Sequence, residues 1–486
     1  MLDRLRRGIS RAIFRFPALL SRLGVVDRRK GEEAFDLAVP VMVTGSMRTV
    51  LRIADFFMVS LALGPAAVAG LELGFQYYFV PFGLALALSS GTISVVSRAI
   101  GADRRAVADL ALKQSVWLSI LLSVPITVLT WWYAPAMIDV LTDDPAVIGY
   151  GATYLRIVMV GVGFRFFGLV SSRALAGAGD TRTPMYVRSV SVPTNVVLNA
   201  LLIFGLGPFP RLGVAGAAIG TVVANALAAS LFGAVLLSGR FPVRLRVGGT
   251  QLDAPIAREV VRVGTPIGGM RLAQSFGRFP FLFVLSVLGT EVVAAYAIGR
   301  RVILLAIMPA WGYSTAASTL VGQSLGAGDE EEADDYGWQT LRIALATQLL
   351  VAAAVFLLAG VIATAFGAGN VELTATFVRV FALGIAGFSV ARTLQGGLRG
   401  AGDTRWPFYG TAIGNYLVRL PVAALALPAG FVVTAAGVSL SPGLGLGLPA
   451  VFASILGDYY ARGAVNWVRF RSGRWKAVAR RANTGD

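Results

Sequence analysis

The chain has 486 residues, of which 56% are hydrophobic and 14% are charged, and its mean hydropathy is +0.71. This balance excludes an ordinary soluble protein and indicates a chain that lives in a bilayer. The sequence contains no Cys and no His, which excludes disulfides, thiolate nucleophiles and imidazole metal sites.

The first element is a basic segment over 1–32 that precedes the apolar sequence. Apolar residues are interspersed among its arginines, without the continuous apolar core and small-residue cleavage site of a secretory signal peptide. We expect this segment to lie along the cytoplasmic lipid surface.

About twelve stretches are long and apolar enough for a spanning helix, which needs about 20 such residues. They lie near 33–62, 66–97, 107–134, 146–172, 184–206 and 213–238, and near 256–288, 291–321, 337–364, 371–398, 407–434 and 445–468. The sequence therefore predicts an all-α polytopic membrane protein with two lobes of six helices. The lobes cover 33–238 and 256–468, with a cytoplasmic linker over 239–255 and a basic cytoplasmic tail over 469–486.

An internal repeat supports this division. Residues 177–182 and 400–405 both read Gly-Ala-Gly-Asp-Thr-Arg, 223 residues apart, and fall between the fourth and fifth predicted helices of each lobe. Repeats of this kind are typical of transporters. We interpret the turns as caps or hinges, with gating ion pairs as the alternative. Their candidate residues are Gly179, Asp180, Arg182, Gly402, Asp403 and Arg405.

Lys and Arg concentrate in alternate short connections, whereas the opposite connections hold Arg211 with several acidic residues. The positive-inside rule then places both termini in the cytoplasm, in a multi-pass protein of the cytoplasmic membrane. The net charge of +17 has the same origin, so we expect the bilayer as a partner and no nucleic acid. The sequence contains no P-loop motif, which argues against ATP as the energy source.

Asp55 is an ionisable residue within the first predicted helix. Such a group is costly in a bilayer and by default faces a cavity or a partner. A carboxylate there can take up a proton or ligate sodium, and either would couple conformation to an ion. The structural alternative is a buried ion pair with Arg52 or Arg48.

The fifth predicted helix carries Asn195 and Asn199, four residues apart and therefore on one face. Their carbonyl oxygens could join Asp55 in a monovalent cation site, with Thr221 as a weaker candidate. The alternative is ordinary hydrogen bonding between helices.

Other side chains are candidates for a substrate surface, because flexible, aromatic and cationic groups suit organic ligands. Core packing and snorkelling arginines are the alternatives. The candidates are Tyr77, Arg52, Gln274, Arg278, Met308 and Trp311.

Several motifs resemble the multidrug and toxic compound extrusion (MATE) family. They are Leu-Ala-Val-Pro at 37–40, Gly-Thr-Pro-Ile at 264–267, the glycine-rich stretch 321–328 and both Gly-Ala-Gly-Asp-Thr-Arg turns. The resemblance implies a V-shaped bundle of two lobes and a transporter, not an enzyme, without a cofactor. Such a protein exports organic, often cationic, compounds in exchange for inward sodium or protons, and we expect a monomer.

The branch that resembles DNA-damage-inducible protein F is the nearer one, since its cation site uses a first-helix aspartate. In that branch an acidic residue follows the asparagine by four, whereas this chain has Asn199, which leaves Asp55 as the acid at the site. An arginine-lined cavity would instead suit a lipid-linked oligosaccharide flippase of the same superfamily, although such relatives usually have about fourteen helices. A channel or a membrane scaffold remains as an alternative of another class.

Overall fold

The computed structural model describes residues 16–435 and 438–484, except for the side chains at 50, 52, 53, 56, 79, 433–435, 438–440 and 482–484. Residues 1–15 of the predicted basic segment lie outside the described residues, and residues 16–22 are helical. From there on the chain is almost entirely helical. The first set of helices is α1 Arg28–Leu63, α2 Pro65–Gly101, α3 Arg105–Asp139, α4 Pro145–Val160, α5 Val162–Gly177, α6 Arg182–Phe204 and α7 Val214–Leu237.

The second set contains more breaks than the first. It comprises α8 Ala254–Phe276, α9 Arg278–Leu288, α10 Thr290–Ala306, α11 Met308–Gly326, α12 Glu330–Leu357, α13 Ala359–Ala365, α14 Val371–Gly400, α15 Arg405–Ala412, a π-helical segment Ile413–Arg419, α16 Leu420–Ala424, α17 Gly447–Arg471 and α18 Arg474–Thr484. When the helices interrupted at Gly161, Gly277, Ile307 and Leu358, and those joined by the π-helical segment, are each taken as one, the chain from Arg28 to Arg471 gives two sets of six helical segments. This agrees with the all-α polytopic prediction.

Six described helices are long and apolar enough to cross a membrane, and two bent pairs raise this number to eight. The pairs bend by 50° between α4 and α5 and by 42° between α10 and α11. Broken helices leave backbone groups that a bilayer cannot satisfy, so such breaks belong where protein or a water-filled cavity surrounds them.

Helix ends follow the local sequence. Pro65 and Pro145 stand in the first turns of α2 and α4, where the missing N–H costs no hydrogen bond. Asp144 and Asn370 cap α4 and α14 by accepting hydrogen bonds from backbone N–H groups. Gly205 ends α6 with φ 72°, a conformation that favours glycine.

A short antiparallel hairpin departs from the predicted eleventh span. We expect a helix over 407–434, but α16 ends at Ala424 and the chain continues as β1 Val433–Ala435 and β2 Val438–Leu440. Val433 pairs with Leu440. Pro428 and Gly430, the latter with φ 81°, stand between α16 and β1 and disfavour continued helix.

The described chain divides into two compact units. One comprises 40–268, and the other joins the residues up to Val39 to 269–486. The first turns of α1 therefore belong with the second set, because Arg29 pairs with Glu332, Lys30 pairs with Asp335, and Tyr336 donates to Glu33. The division thus differs from the predicted lobe boundaries at 33 and 256.

Each unit has its own apolar core. In the 40–268 unit, one cluster packs around Leu155 and Phe166, and another packs Val260 of α8 with Leu88 of α2. In the other unit, Phe281, Tyr296 and Phe377 belong to one large cluster. Close ring contacts join them, with Phe281 and Tyr296 centroids 5.4 Å apart.

Candidate functional site

Three helices of the 40–268 unit bring the predicted cation-coupling residues together. Asp55 lies on α1 and is half-buried, while Asn195 and Asn199 lie on α6 and are almost fully buried. The Asn199 amide nitrogen donates to Asp55 Oδ1 over 2.7 Å and to Asn195 Oδ1 over 2.9 Å. Asp55, Asn195 and Asn199 therefore form one hydrogen-bonded cluster, as the four-residue spacing of the two asparagines and the position of Asp55 on the first helix predict.

The third helix, α7, closes this cluster through its backbone. Asn195 donates to the Gly220 carbonyl oxygen at 3.4 Å. A Cβ at Gly220 would collide with Oδ1 of Asn199, so α6 and α7 approach this closely only because position 220 is glycine. Asn199 Oδ1 is buried and has no hydrogen-bond partner among the described residues.

Thr221 lies beside Gly220, but its hydroxyl donates to the Ala217 carbonyl oxygen one turn back on α7. Thr221 is half-buried, and the hydrogen of its hydroxyl is already used in this bond within α7. Among the described residues no group of three or more acidic side chains is placed to hold a metal ion.

Tyr77 belongs to the same unit, where its hydroxyl donates to the Met137 carbonyl oxygen and so ties α2 to α3. This contact is structural. The side chain of Arg52, the other predicted cavity residue on these helices, lies outside the described residues.

In the second unit, Trp311 lies close to two arginines. Its ring centroid is 5.2 Å from the Arg271 guanidinium and 3.4 Å from that of Arg392. Gln274, on α8 with Arg271, accepts a long hydrogen bond of 3.4 Å from it. Gln274 and Trp311, both predicted for a substrate surface, are thus joined through an arginine that the sequence reasoning did not select.

The two other candidates of this unit are less constrained. Met308 opens α11 and is half-buried, and Arg278 opens α9 and is exposed. Both stand immediately after a helix break, at Ile307 and Gly277 respectively.

The repeated turns have the same backbone but different partners. Gly179 and Gly402 have φ 92° and 81°, the left-handed region that favours glycine. Asp180 accepts a hydrogen bond from the Thr183 backbone N–H, as a cap does.

Asp403, by contrast, is buried and forms an ion pair of 2.6 Å with Arg469 of α17. Burial raises the pKa of the Asp403 carboxyl above its ordinary value, although Arg469 and Arg405 act to lower it. Arg182 and Arg405 both lie exposed. The first turn therefore caps a helix through Asp180, whereas the second turn binds α17 through Asp403.

The sequence reasoning missed a group of buried charges in the second unit. Asp458 of α17 is 1% exposed and receives two hydrogen bonds from Arg462, of 2.6 and 2.7 Å. Arg419 lies 4.0 Å from the same carboxylate and also donates to the Tyr296 hydroxyl. The rule that selected Asp55, an ionisable group inside a predicted span, applies equally to Asp458 and would have found it.

Comparison with known proteins identifies the family. The MatE sequence profile matches twice, over residues 40–201 and 266–425, once in each copy of the repeat. A probable multidrug resistance protein NorM of Thermotoga maritima is 30% identical over 453 residues, covering 92% of this chain and 94% of that protein. A further probable NorM, of Mesorhizobium japonicum, is 29% identical over 441 residues, covering 88% and 92%.

Solved structures agree with these matches. A crystal structure of MATE in the bent conformation superimposes with a TM-score of 0.83 and 23% identity, covering 93% of this chain and 97% of that one. The paired profile matches and the shared fold lead to one conclusion: the chain belongs to the multidrug and toxic compound extrusion (MATE) family of membrane transporters.

Proposed function

We propose that this protein is a secondary active antiporter that exports organic compounds from the cytoplasm by alternating access, driven by inward movement of a monovalent cation. The observation that carries the proposal is the Asp55–Asn199–Asn195 cluster. A carboxylate within apolar helices has a high energetic cost and is retained where function requires it. The multidrug resistance names of the relatives support organic substrates.

The cluster suits coupling because it links ion occupancy to helix packing. Asp55 on α1 connects through Asn199 and Asn195 of α6 to the Gly220 carbonyl of α7. Neutralising Asp55 changes the charge to which the Asn199 amide donates, and so changes the strength of the contact between α1 and α6. Ion binding then favours one packing of these helices over another.

Within this proposal, a proton suits the geometry better than sodium. Asn199 presents its N–H to Asp55, while its oxygen faces Gly220. Asn195 Oδ1 already accepts from Asn199, and the Thr221 hydroxyl donates to its own helix. Sodium would need several of these oxygens turned toward one point, whereas a proton needs a single carboxylate oxygen.

The test is export of a cationic fluorescent dye, ethidium, from proteoliposomes under a proton gradient and, separately, a sodium gradient. We expect the proton gradient to drive export and Asp55→Asn to abolish it. Glu72→Gln is the matched control, since Glu72 lies exposed on α2 of the same unit. Export by Asp55→Asn at the wild-type rate would refute the coupling role, and export driven by sodium alone would refute the proton.

We also propose, from the positive-inside pattern, that the protein lies in the cytoplasmic membrane with both termini in the cytoplasm. A separate proposal is that the monomer is the working unit. If ethidium moves under neither gradient, lipid flipping becomes the next activity to measure, because buried arginines suit an anionic lipid-linked substrate.

A further inference from the structure

Five arginines of the second unit lie against Tyr296, Asp458 or Trp311. Arg300 and Arg419 each donate to the Tyr296 hydroxyl over 3.1 Å, and Arg419 also approaches Asp458, which Arg462 binds with both guanidinium nitrogens. Arg271 lies against Trp311, with its guanidinium 5.2 Å from the ring centroid. Arg392 also lies against this ring, at 3.4 Å from the centroid.

Broken helices position this group. Asn415 and Tyr416, in the π-helical segment Ile413–Arg419, both donate to the Ala273 carbonyl oxygen of α8 over 2.9 Å. A Cβ at Gly277, where α8 gives way to α9, would collide with Asn415. π-Helical turns are rare and frequently mark functional sites. Interrupted helices in a transporter likewise mark binding sites.

The charges of the group do not balance. Within the described residues this group holds five guanidinium groups and one carboxylate, that of Asp458, which Arg419 and Arg462 approach. The other three guanidinium groups are those of Arg271, Arg300 and Arg392. Arg462 already engages both oxygens of that carboxylate. In apolar surroundings such an excess of positive charge is costly unless an anion offsets it.

Unsatisfied donors point in the same direction. Nε of Arg271 and Nε of Arg419 are buried and have no hydrogen-bond partner within the described part of the chain. A guanidinium presents its donors as a planar fork that matches an oxyanion. Buried donors without acceptors call for an acceptor from outside the protein.

We propose that this arginine group binds the oxyanion, carboxylate or phosphate, of exported compounds, so that the substrates of this transporter include anionic or zwitterionic organic molecules. The inference rests on the proposed export function for what is carried, but anion binding itself requires no gradient. Arg300 and Arg419 would contact the oxyanion, with Tyr296 holding the two guanidinium groups together.

The test is equilibrium binding of carboxyfluorescein to the purified full-length protein in a neutral detergent, read by fluorescence polarisation. We expect saturable binding that Arg300→Gln and Arg419→Gln each weaken by about tenfold or more, the cost of one charge-assisted contact. Arg301→Gln is the matched control, since it removes the same charge from the next residue, which lies exposed. It should bind as the wild type does.

Arg300→Lys separates loss of binding from loss of the fold, because it keeps the charge and removes the planar fork. It should bind with intermediate affinity and keep the wild-type melting temperature. Equal affinity of wild type, Arg300→Gln and Arg301→Gln, or no saturable binding by the wild type, would overturn the proposal. If ethidium export fails while carboxyfluorescein binding depends on Arg300, the result refutes the proposed export of ethidium and supports the anion site.

The oxyanion could belong to a soluble compound or to a lipid headgroup, and nanodiscs distinguish the two. If bilayers with phosphatidylglycerol weaken carboxyfluorescein binding relative to pure phosphatidylcholine, and do so only when Arg300 and Arg419 are present, the headgroup enters the site. Equal binding in both bilayers assigns the site to the soluble compound.

Discussion

The side-chain amide of Asn199 donates to Oδ1 of Asp55 over 2.7 Å. Replacing Asn199 with Leu keeps similar bulk but removes this donor and its bond to Asn195. We expect gradient-driven ethidium export to fall by about tenfold or more, because the carboxylate loses a charge-assisted hydrogen bond. Initial export rates in proteoliposomes measure the effect. Thr194→Val, a polar-to-apolar change on an exposed face of the same helix, should leave the rate unchanged.

Gly220→Ala should destabilise the protein. The new Cβ would collide with the Asn199 side chain and force α6 and α7 apart, a cost of about 1–3 kcal/mol in a packed interior. Thermal unfolding in detergent reports it as a lower melting temperature. Gly233→Ala, on the same helix with no atom near its added Cβ, should be neutral or slightly stabilising. Equal melting temperatures for the two variants would contradict the close packing.

Arg469→Gln should make stability depend more steeply on pH. Burial already raises the pKa of Asp403 above 3.8, and without Arg469 that pKa should rise further. The folded state then binds a proton that the unfolded state releases, so the variant loses stability as pH rises through the folded-state pKa. We expect a deficit of about 3 kcal/mol at pH 7 that shrinks toward pH 4. Arg405→Gln, at an exposed site near the same carboxylate, should show a smaller change.

Glu259→Gln should destabilise the 40–268 unit. Glu259 of α8 pairs with Arg98 of α2 at 2.8 Å, and the Arg98 side chain is 5% exposed, so the variant leaves a buried cation without its anion. A loss of about 3 kcal/mol follows, measured by thermal or denaturant unfolding. Asp103→Asn breaks an exposed pair with Arg105 and should change stability by less than about 1 kcal/mol. Comparable losses in both variants would contradict this distinction.

Much of the fold could be predicted because its determinants are local. Long apolar stretches, the duplicated turn and proline positions indicate the helices and their two sets without any tertiary information. The four-residue spacing of Asn195 and Asn199 likewise predicted a shared face, and the structure confirms their contact. Their meeting with Asp55 depends on how α1 packs against α6, which required the fold itself.

The rest could not be predicted because it depends on contacts between residues distant in sequence. Nothing local distinguishes Asp403, which pairs with Arg469, from Asp180, which caps its own helix, since both occur in the same hexapeptide. Similarly, Tyr296 gains its role only because Arg419 comes from a helix more than one hundred residues away. The helix breaks at Gly161 and Gly277 also depend on packing, since other helical glycines leave their helices intact.

The π-helical segment Ile413–Arg419 widens one turn just before Arg419. Because each α-helical residue advances the chain by about 100° around the helix axis, deleting Leu417 or Val418 would let the segment relax to α-helix and shift Arg419 around the axis relative to Asn415. One of them could then keep its partner, either the Ala273 carbonyl or the Tyr296 hydroxyl, but not both. The number of residues in this turn, as much as the identity of its side chains, therefore determines whether one helical segment can hydrogen-bond to both α8 and Tyr296.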